Sequence, residues 1–391
     1  MTRVGTKDWT FAAVGDVFVN RPDPANAFEH CAPVLRRFDL VFGNLEGAYT
    51  DTPHFAPSAG WRVVAPRHNG SGLREAGFHV LACANNHSVD AGHEGLLDTL
   101  DMLQSQGIAT VGAGRNAQEA YAPVLLDVEG VRVGVVAFAS VYPPGYEARE
   151  RAPGIAALRI HSHYYIPEWD AYGRVEPGVV PQVRTFPWPE DVDRLTRSIT
   201  HLRERADVVV VSHHWGQAGR PAVLTEYERI LARASIDAGA DVVIGHHHHF
   251  LRGIEVYKGR PIYYGLGHFV FDLPGLDTAL TAPELEKLRR MGEYAIYPRA
   301  GYPLSPFHED ARMTMIAVCR FRGSHMQSMG FVPCLIDEQN HAMPLDASRG
   351  EGARVASYVK QISQEVGLTT KYIEQEYGIG LGVVAAVEAD T

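Results

Sequence analysis

Five short apolar runs each stop on residues able to bind a metal, and this coincidence constrains the chain more than any other feature. TFAAVG (10 to 15) stops at Asp16, DLVFGN (39 to 44) at Asn44-Leu45-Glu46, and HVLACAN (79 to 85) at Asn85-Asn86-His87. DVVVVSHH (207 to 214) ends in His213-His214, and DVVIGHH (241 to 247) opens the run His246-His247-His248-His249. Runs apolar on both faces are the pattern of strands buried in a central sheet. Ligands of open α/β sheets bind at the carboxyl ends of such strands. A lone Asp after a strand is ordinarily a turn or cap residue, but five strand ends that all deliver carboxylate, amide oxygen or imidazole point to a cation site, with room for one ion or two. That donor mix suits Mn, Fe, Zn or Ca better than a thiolate-selecting metal. The four consecutive histidines lie inside the chain, whereas tags sit at termini.

Between the runs, EGLLDTLDMLQSQG (94 to 107) and TEYERILARASIDAG (225 to 239) carry apolar residues at helical spacing and end in Gly, a favoured helix stop. The alternation predicts an α/β fold. VLLDVEGVRVGVVAF (124 to 138) and RGIEVYKGRPIYYGLG (252 to 267) predict hairpins turning at Glu129-Gly130 and Lys258-Gly259, so the sheets are mixed. MTMIAVCRF (313 to 321) and MQSMGFVPCLI (326 to 336) read as strands, and ARVASYVKQISQEVG (353 to 367) as a helix. With no linker in view, residues 1–391 are expected to form a single domain. It carries insertions near 141–189 and 273–308, each too long for a simple connection. The first holds Tyr142, Tyr146, Tyr164, Tyr165, Trp169, Tyr172 and Trp188 and is expected to act as an aromatic lid.

A formal charge of -10 with no basic stripe argues against a nucleic-acid partner. The start lacks a signal-type apolar segment and nowhere do 18 apolar residues occur in succession, which predicts a cytoplasmic protein with no membrane partner. Cys31, Cys83, Cys319 and Cys334 are scattered without a C-x-x-C pair and are expected to be buried free thiols.

GDVFVNR (15 to 21), GNLEG (43 to 47), ANNHSVDAG (84 to 92), VGAG (111 to 114), SHHWG (212 to 216), GADVVIGHHHH (239 to 249) and YYGLGHFVFD (263 to 272) occur in an order that resembles a known family. It is the CapA-like, poly-γ-glutamate-synthesis branch of the calcineurin-like metallophosphatases, and the resemblance covers roughly residues 10 to 370. The resemblance implies an αββα sandwich, a divalent metal held by Asp16, Glu46, Asn86, His214, His247 and His249, and His87 as the acid/base group. The chain departs from the pattern in three places. Phe18 stands where the wider superfamily's Asp-x-His places a second ligand, which argues against a complete two-metal site and against phosphoester hydrolysis. His248 replaces a common Pro, and His268 replaces an Asn.

Three chemistries are open to such a site. A metal can activate water for hydrolysis of a phosphoester or amide, including a poly-γ-glutamate-type substrate. It can anchor a carbonyl while paired bases exchange a Cα proton, which is epimerisation. It can also be purely structural in a non-catalytic capsule-assembly component. Epimerisation of a ribosomal precursor peptide ranks first here, because some CapA-like proteins are peptide epimerases in lasso-peptide pathways and no membrane anchor is visible. The expected acid/base set is His87, Asp90, Asp16, His268 and His248, with Asp272 near His268 as an orienting carboxylate. The expected substrate is a peptide with an apolar or aromatic residue at the reacting position. Arg21 and Arg115 are further candidates for clamping an anion.

Overall fold

Alternate residues of the strands Val208–His214 and Val242–His246 part company: Val208, Val210, Val242 and Ile244 join one apolar core, and Val209, Val211 and Val243 join a second. A strand sends successive side chains to opposite faces, so this sheet is covered on both sides. The structure is a computed structural model that describes residues 7–165, 180–276, 280–376 and 382–387. Two main mixed sheets with helices make up the architecture.

In the larger sheet Asp8–Phe18 is central, parallel to Leu40–Leu45 and to His268–Phe271, and antiparallel to Met313–Arg322. Val80–Ala82 and Ala109–Val111 continue the parallel side. His325–Ile336 and the hairpin Lys371–Glu376 with Gly382–Val387 continue the antiparallel side. In the second sheet Val131–Ala139, Val208–His214, Val242–His246 and Arg260–Tyr263 run parallel. Hairpins close both of its edges. Their turns lie at Glu129-Gly130 and Lys258-Gly259, with all four residues at positive φ, the geometry that matches strand twist.

One core is shared by the two sheets, and Tyr263 of the second sheet donates its hydroxyl hydrogen to the Gly330 carbonyl of the first at 2.8 Å. The other core lies under the helices Pro189–Arg203 and Glu226–Asp237, which bury Leu195, Ile199 and Leu202, and Leu231, Ala232 and Ile236. This helical spacing is what the amphipathic pattern requires. All four cysteines are buried free thiols. Among the described residues no helix is long and apolar enough to cross a membrane.

The parallel strands of both sheets end on the same cluster because two glycines let backbones close in. A Cβ on Gly15 would lie 2.0 Å from the Gly267 carbonyl oxygen, and one on Gly245 would lie 2.0 Å from that of Tyr264. Each glycine precedes its ligand-bearing segment, so the sheets converge where Asp16 and the histidine run begin.

The first insertion holds an antiparallel ribbon, Ile160–Tyr165 with Gln182–Pro187. Tyr164, Tyr165 and Trp188 are exposed there, and Tyr146 is buried. Trp169 and Tyr172 lie outside the described residues. The second insertion contains the helix Ala282–Arg290 and then irregular chain.

Candidate metal centre

Asp16 and Glu46 are fully buried with little to satisfy them. Asp16 Oδ1 accepts a hydrogen bond from Asn44 Nδ2 at 2.8 Å, but Oδ2 and both Glu46 oxygens have no hydrogen-bond partner. The same holds for Nδ1 of His247 and of His249. A buried polar atom without a partner costs roughly 1–3 kcal/mol, so a cluster of them needs a common answer.

Two groups of donor atoms, Asp16 with Glu46 and His249, and Glu46 with His214 and His247, each lie within 4.8 Å of one another and could hold a metal ion. Glu46 belongs to both. His249 Nδ1 is 3.3 Å from Asp16 Oδ2, and the Nε2 atoms of His249 and His214 are each 3.7 Å from Glu46 Oε1. Donors about 2.1 Å from a common ion are separated by roughly 3.0–3.4 Å, close to these values. Asn86 Oδ1 lies 2.5 Å from His214 Nε2 and joins the second group. The residues present therefore fit a divalent cation.

The electrostatics agree. Burial opposes charge on Asp16, yet the His246 and His249 rings outweigh it and hold the carboxyl well below the usual range. Burial and the neighbouring Asp16 charge push Glu46 well above it. Two carboxylates this close do not both ionise without a cation, and a bound divalent ion would remove the conflict. Burial also holds His214 and His247 well below the ordinary imidazole range, keeping them neutral with lone pairs to donate.

The histidine run is sorted by its backbone. A regular strand would send alternate rings to opposite faces, but His247 and His249 adopt φ of 97° and 58°. Such left-handed positions cost about 1–3 kcal/mol each and cluster at functional sites. As a result His247 and His249 both reach the carboxylates. His248 turns away: its Nε2 meets Glu228 Oε1 at 3.0 Å, while Glu228 Oε2 caps the helix Glu226–Asp237 through Thr225. His248 thus anchors the run rather than entering the donor cluster. His268 sits opposite Asp16 in register, its Nδ1 3.2 Å from the His249 carbonyl oxygen and its ring 4.6 Å from Phe307. It supports the backbone of His249. Burial holds His248 at about 4 and His268 at about 3, which makes both poor proton carriers near neutrality.

His87 is placed differently. Its Nδ1 lies 2.7 Å from Asp90 Oδ2, which also accepts from the Val63 amide, while Asp90 Oδ1 accepts from the Tyr146 hydroxyl at 2.7 Å. This file of contacts fixes Nδ1 as the protonated nitrogen and leaves Nε2 for chemistry. Asp90 is accordingly a positioning partner. Asn85 sets the loop by accepting from the His87 amide and the Ser88 hydroxyl.

Other expectations are corrected. Asp272 does not orient His268: it accepts two hydrogen bonds from the Arg21 guanidinium and one from Asn340. Arg21 is consumed in that pair, and Arg115 pairs with Asp101 and Glu119 at the surface. Phe18 packs on Tyr49 and Phe271, and His249 supplies an imidazole beside Asp16, so the missing second ligand does not leave that side short of donors. The first insertion reaches the site through Tyr146 on Asp90, whereas the wall of the adjoining cavity comes from elsewhere. That cavity, about 790 Å³, is lined by His87 and His249, by Trp61 and Val63, and by residues of the second insertion including Leu288, Met291, Ile296 and Phe307.

His246 is a site residue absent from the expected set. Its Nδ1 is 3.3 Å from Asp16 Oδ1, and its ring packs 5.9 Å from Phe42. The period-two series Val242, Ile244, His246 carried the signal. The same alternation explains His213, which shares the face of Val209 and Val211 and stacks on Trp215 at 4.5 Å.

The model of the family described as "Bacterial capsule synthesis protein PGA_cap" matches residues 10–273, the span that carries every donor of the cluster. A protein of Sinorhizobium fredii, y4sH, is 28% identical over 95% of this chain and 92% of its own length. The PGA biosynthesis protein CapA of Bacillus subtilis is 30% identical over 73% of this chain and 70% of its own. The capsule biosynthesis protein CapA of Bacillus anthracis is 31% identical over 67% and 60%. With the matched span enclosing both sheets' ligand-bearing strand ends, the chain belongs to the bacterial capsule synthesis protein family, PGA_cap.

Proposed function

We propose that this chain is a metal-dependent enzyme that works as one αββα unit on a peptide and hydrolyses an amide bond in it. The observation that carries the reading is Glu46, shared by two buried groups of donor atoms beside a His87 that Asp90 and Tyr146 hold in one orientation. Asp16, Glu46, Asn86, His214, His247 and His249 would hold the metal. When bound, a divalent ion supplies Lewis-acid polarisation of a carbonyl or phosphoryl oxygen and acidifies water. His87 Nε2 takes the proton that the attacking water gives up and passes it to the nitrogen of the breaking amide, while Asp90 holds the ring in orientation through Nδ1. The capsule and PGA biosynthesis names of the relatives make an amide-linked, poly-γ-glutamate-type chain the first substrate class to try. A phosphoester remains within reach of the same donors.

A second reading, epimerisation at a peptide Cα, is favoured by the cavity. Its wall is largely apolar, with Arg220 the cation and Glu293 the anion among its lining, which suits an apolar or aromatic side chain better than a polyanion. His87 and Glu293 line it from separate elements and would serve as the two bases.

One experiment divides these readings. Metal-loaded protein and its His87→Ala variant are incubated in heavy water with γ-linked oligoglutamate and with peptides ending in an apolar residue, followed by mass spectrometry. Cleavage that the variant loses supports hydrolysis. Gain of one deuteron without cleavage moves the chain to epimerisation. Binding with neither change assigns it a non-catalytic role in capsule assembly.

A further inference from the structure

We infer that His30, Asp337 and His341 form a second metal site, separate from the Glu46 cluster, that takes a zinc-class divalent ion. Their donor atoms lie within 4.8 Å of one another. The site joins the turn after Ala25–Phe28 to the loop that follows the strand His325–Ile336.

The argument starts from a tautomer. Asn26 uses its amide NH2 on Glu29 Oε2, so its oxygen faces His341 Nε2, 2.7 Å away. An amide oxygen only accepts, so His341 Nε2 carries the hydrogen and Nδ1 of the neutral ring carries the lone pair. That lone pair is buried, on a His341 side chain only 7% exposed, has no hydrogen-bond partner, and lies 3.3 Å from Asp337 Oδ2. A lone pair facing a carboxylate oxygen repels it unless a positive charge lies between. Asp337 Oδ1 is already occupied by the amides of Gln339 and His341, which leaves Oδ2 as the free donor. His30 Nε2 is 3.9 Å from that same oxygen, and its ring meets His341 edge-on at 5.3 Å.

Two imidazoles and one carboxylate are the donors of zinc and its neighbours rather than of calcium or magnesium, which take oxygen. Three protein donors leave the fourth position to water on the open side, where the His30 side chain is 45% exposed and free to close the last few tenths of an ångström. The ion would serve as a clip. Asn340, in the same loop at φ 62°, donates to Asp272 and accepts from Arg21, so the clip braces the wall in which the strand His268–Phe271 ends.

The test uses the full chain, stripped with chelator and dialysed against zinc. Bound zinc is measured by plasma emission for the wild type, His30→Ala and His341→Ala, each checked for folding by circular dichroism. Both variants keep every donor of the Glu46 cluster, so the difference isolates the new site. The expected result is one fewer zinc per chain in each variant, with a smaller zinc-induced rise in melting temperature. If His341→Ala does not fold, His30→Ala decides alone, since its ring is half exposed. Equal zinc in the wild type and His30→Ala overturns the proposal.

Discussion

The donors around Glu46 and the wall of the cavity beside them are built in opposite ways. Asp16, Glu46 and His214 stand at the ends of parallel strands and are buried almost completely, and each touches another donor. Met291, Gly292 and Glu293 of the wall are exposed and Leu288 is half-buried, on a segment that buries no side chain of its helix Ala282–Arg290. The buried sheets fix where reactive groups stand to fractions of an ångström, which chemistry requires. A half-exposed segment with few buried contacts sits at the low end of local stability, and substrate choice can be altered there without disturbing the donors.

The largest effect that would sharpen this contrast is acid lability confined to the buried part. Burial lowers His213 to about 3, His248 to about 4 and His268 to about 3. These rings are neutral when folded, while unfolded histidine titrates near 6.5, so below that pH the unfolded chain binds more protons. Stability is therefore full above about pH 6.5 and is lost as pH falls toward 4. Each ring contributes up to about 1.4 kcal/mol per pH unit, and the three about 4 kcal/mol. Against a total of roughly 5–15 kcal/mol, the fold should fail before pH 4. Melting temperatures measured from pH 7.5 to 4.5 should drop steeply; a flat profile would show that these rings are not buried neutral.

Next in size is Glu46→Gln. Losing the carboxylate common to both donor groups should remove several kcal/mol of metal-dependent catalysis, about a 10³-fold loss of turnover, together with bound metal measured by plasma emission. Full activity and full metal content in this variant would refute Glu46 as the shared donor. Asp90→Asn should cost less, about 10–100-fold, because it leaves His87 in place and disturbs only its orientation and charge. Its pH–rate profile should move on the limb that belongs to His87. An unchanged profile with reduced activity would mean that Asp90 supports only the fold.

How far the sequence reached follows the same division. Strands, helices and both hairpin turns were legible because hydrophobic period and turn chemistry are local, and the strand ends that carry Asp16, Glu46, His214 and His247 followed from them. His248 was not placed correctly, because its partner Glu228 is twenty residues away on a helix and the left-handed backbone at His247 and His249 cancels the alternation that would have sorted the run. Asp272 looked close to His268 in sequence, yet its partner Arg21 is 251 residues distant. The wall was the least legible part. Residues 273–308 have neither period, so nothing local says that Leu288, Met291 and Phe307 line a cavity with His87 while Tyr164 and Tyr165 of the first insertion lie exposed on a ribbon.

The smallest predicted effect on turnover tests that wall directly. Met291→Ala removes an exposed thioether that lines the cavity, and one or a few methylene-sized contacts are worth about 1–3 kcal/mol when a ligand covers them. Because the residue touches no donor, the loss should fall on KM, by about 5- to 150-fold, with kcat and melting temperature unchanged. Replacing Phe307 is a different matter: its ring packs on both His249 and His268, at 4.7 and 4.6 Å. Phe307→Ala should therefore lower kcat as well. If Met291→Ala also lowers kcat, the wall moves with the chemistry and the two regions act as one; if it changes neither constant, the substrate enters by another face of the cavity.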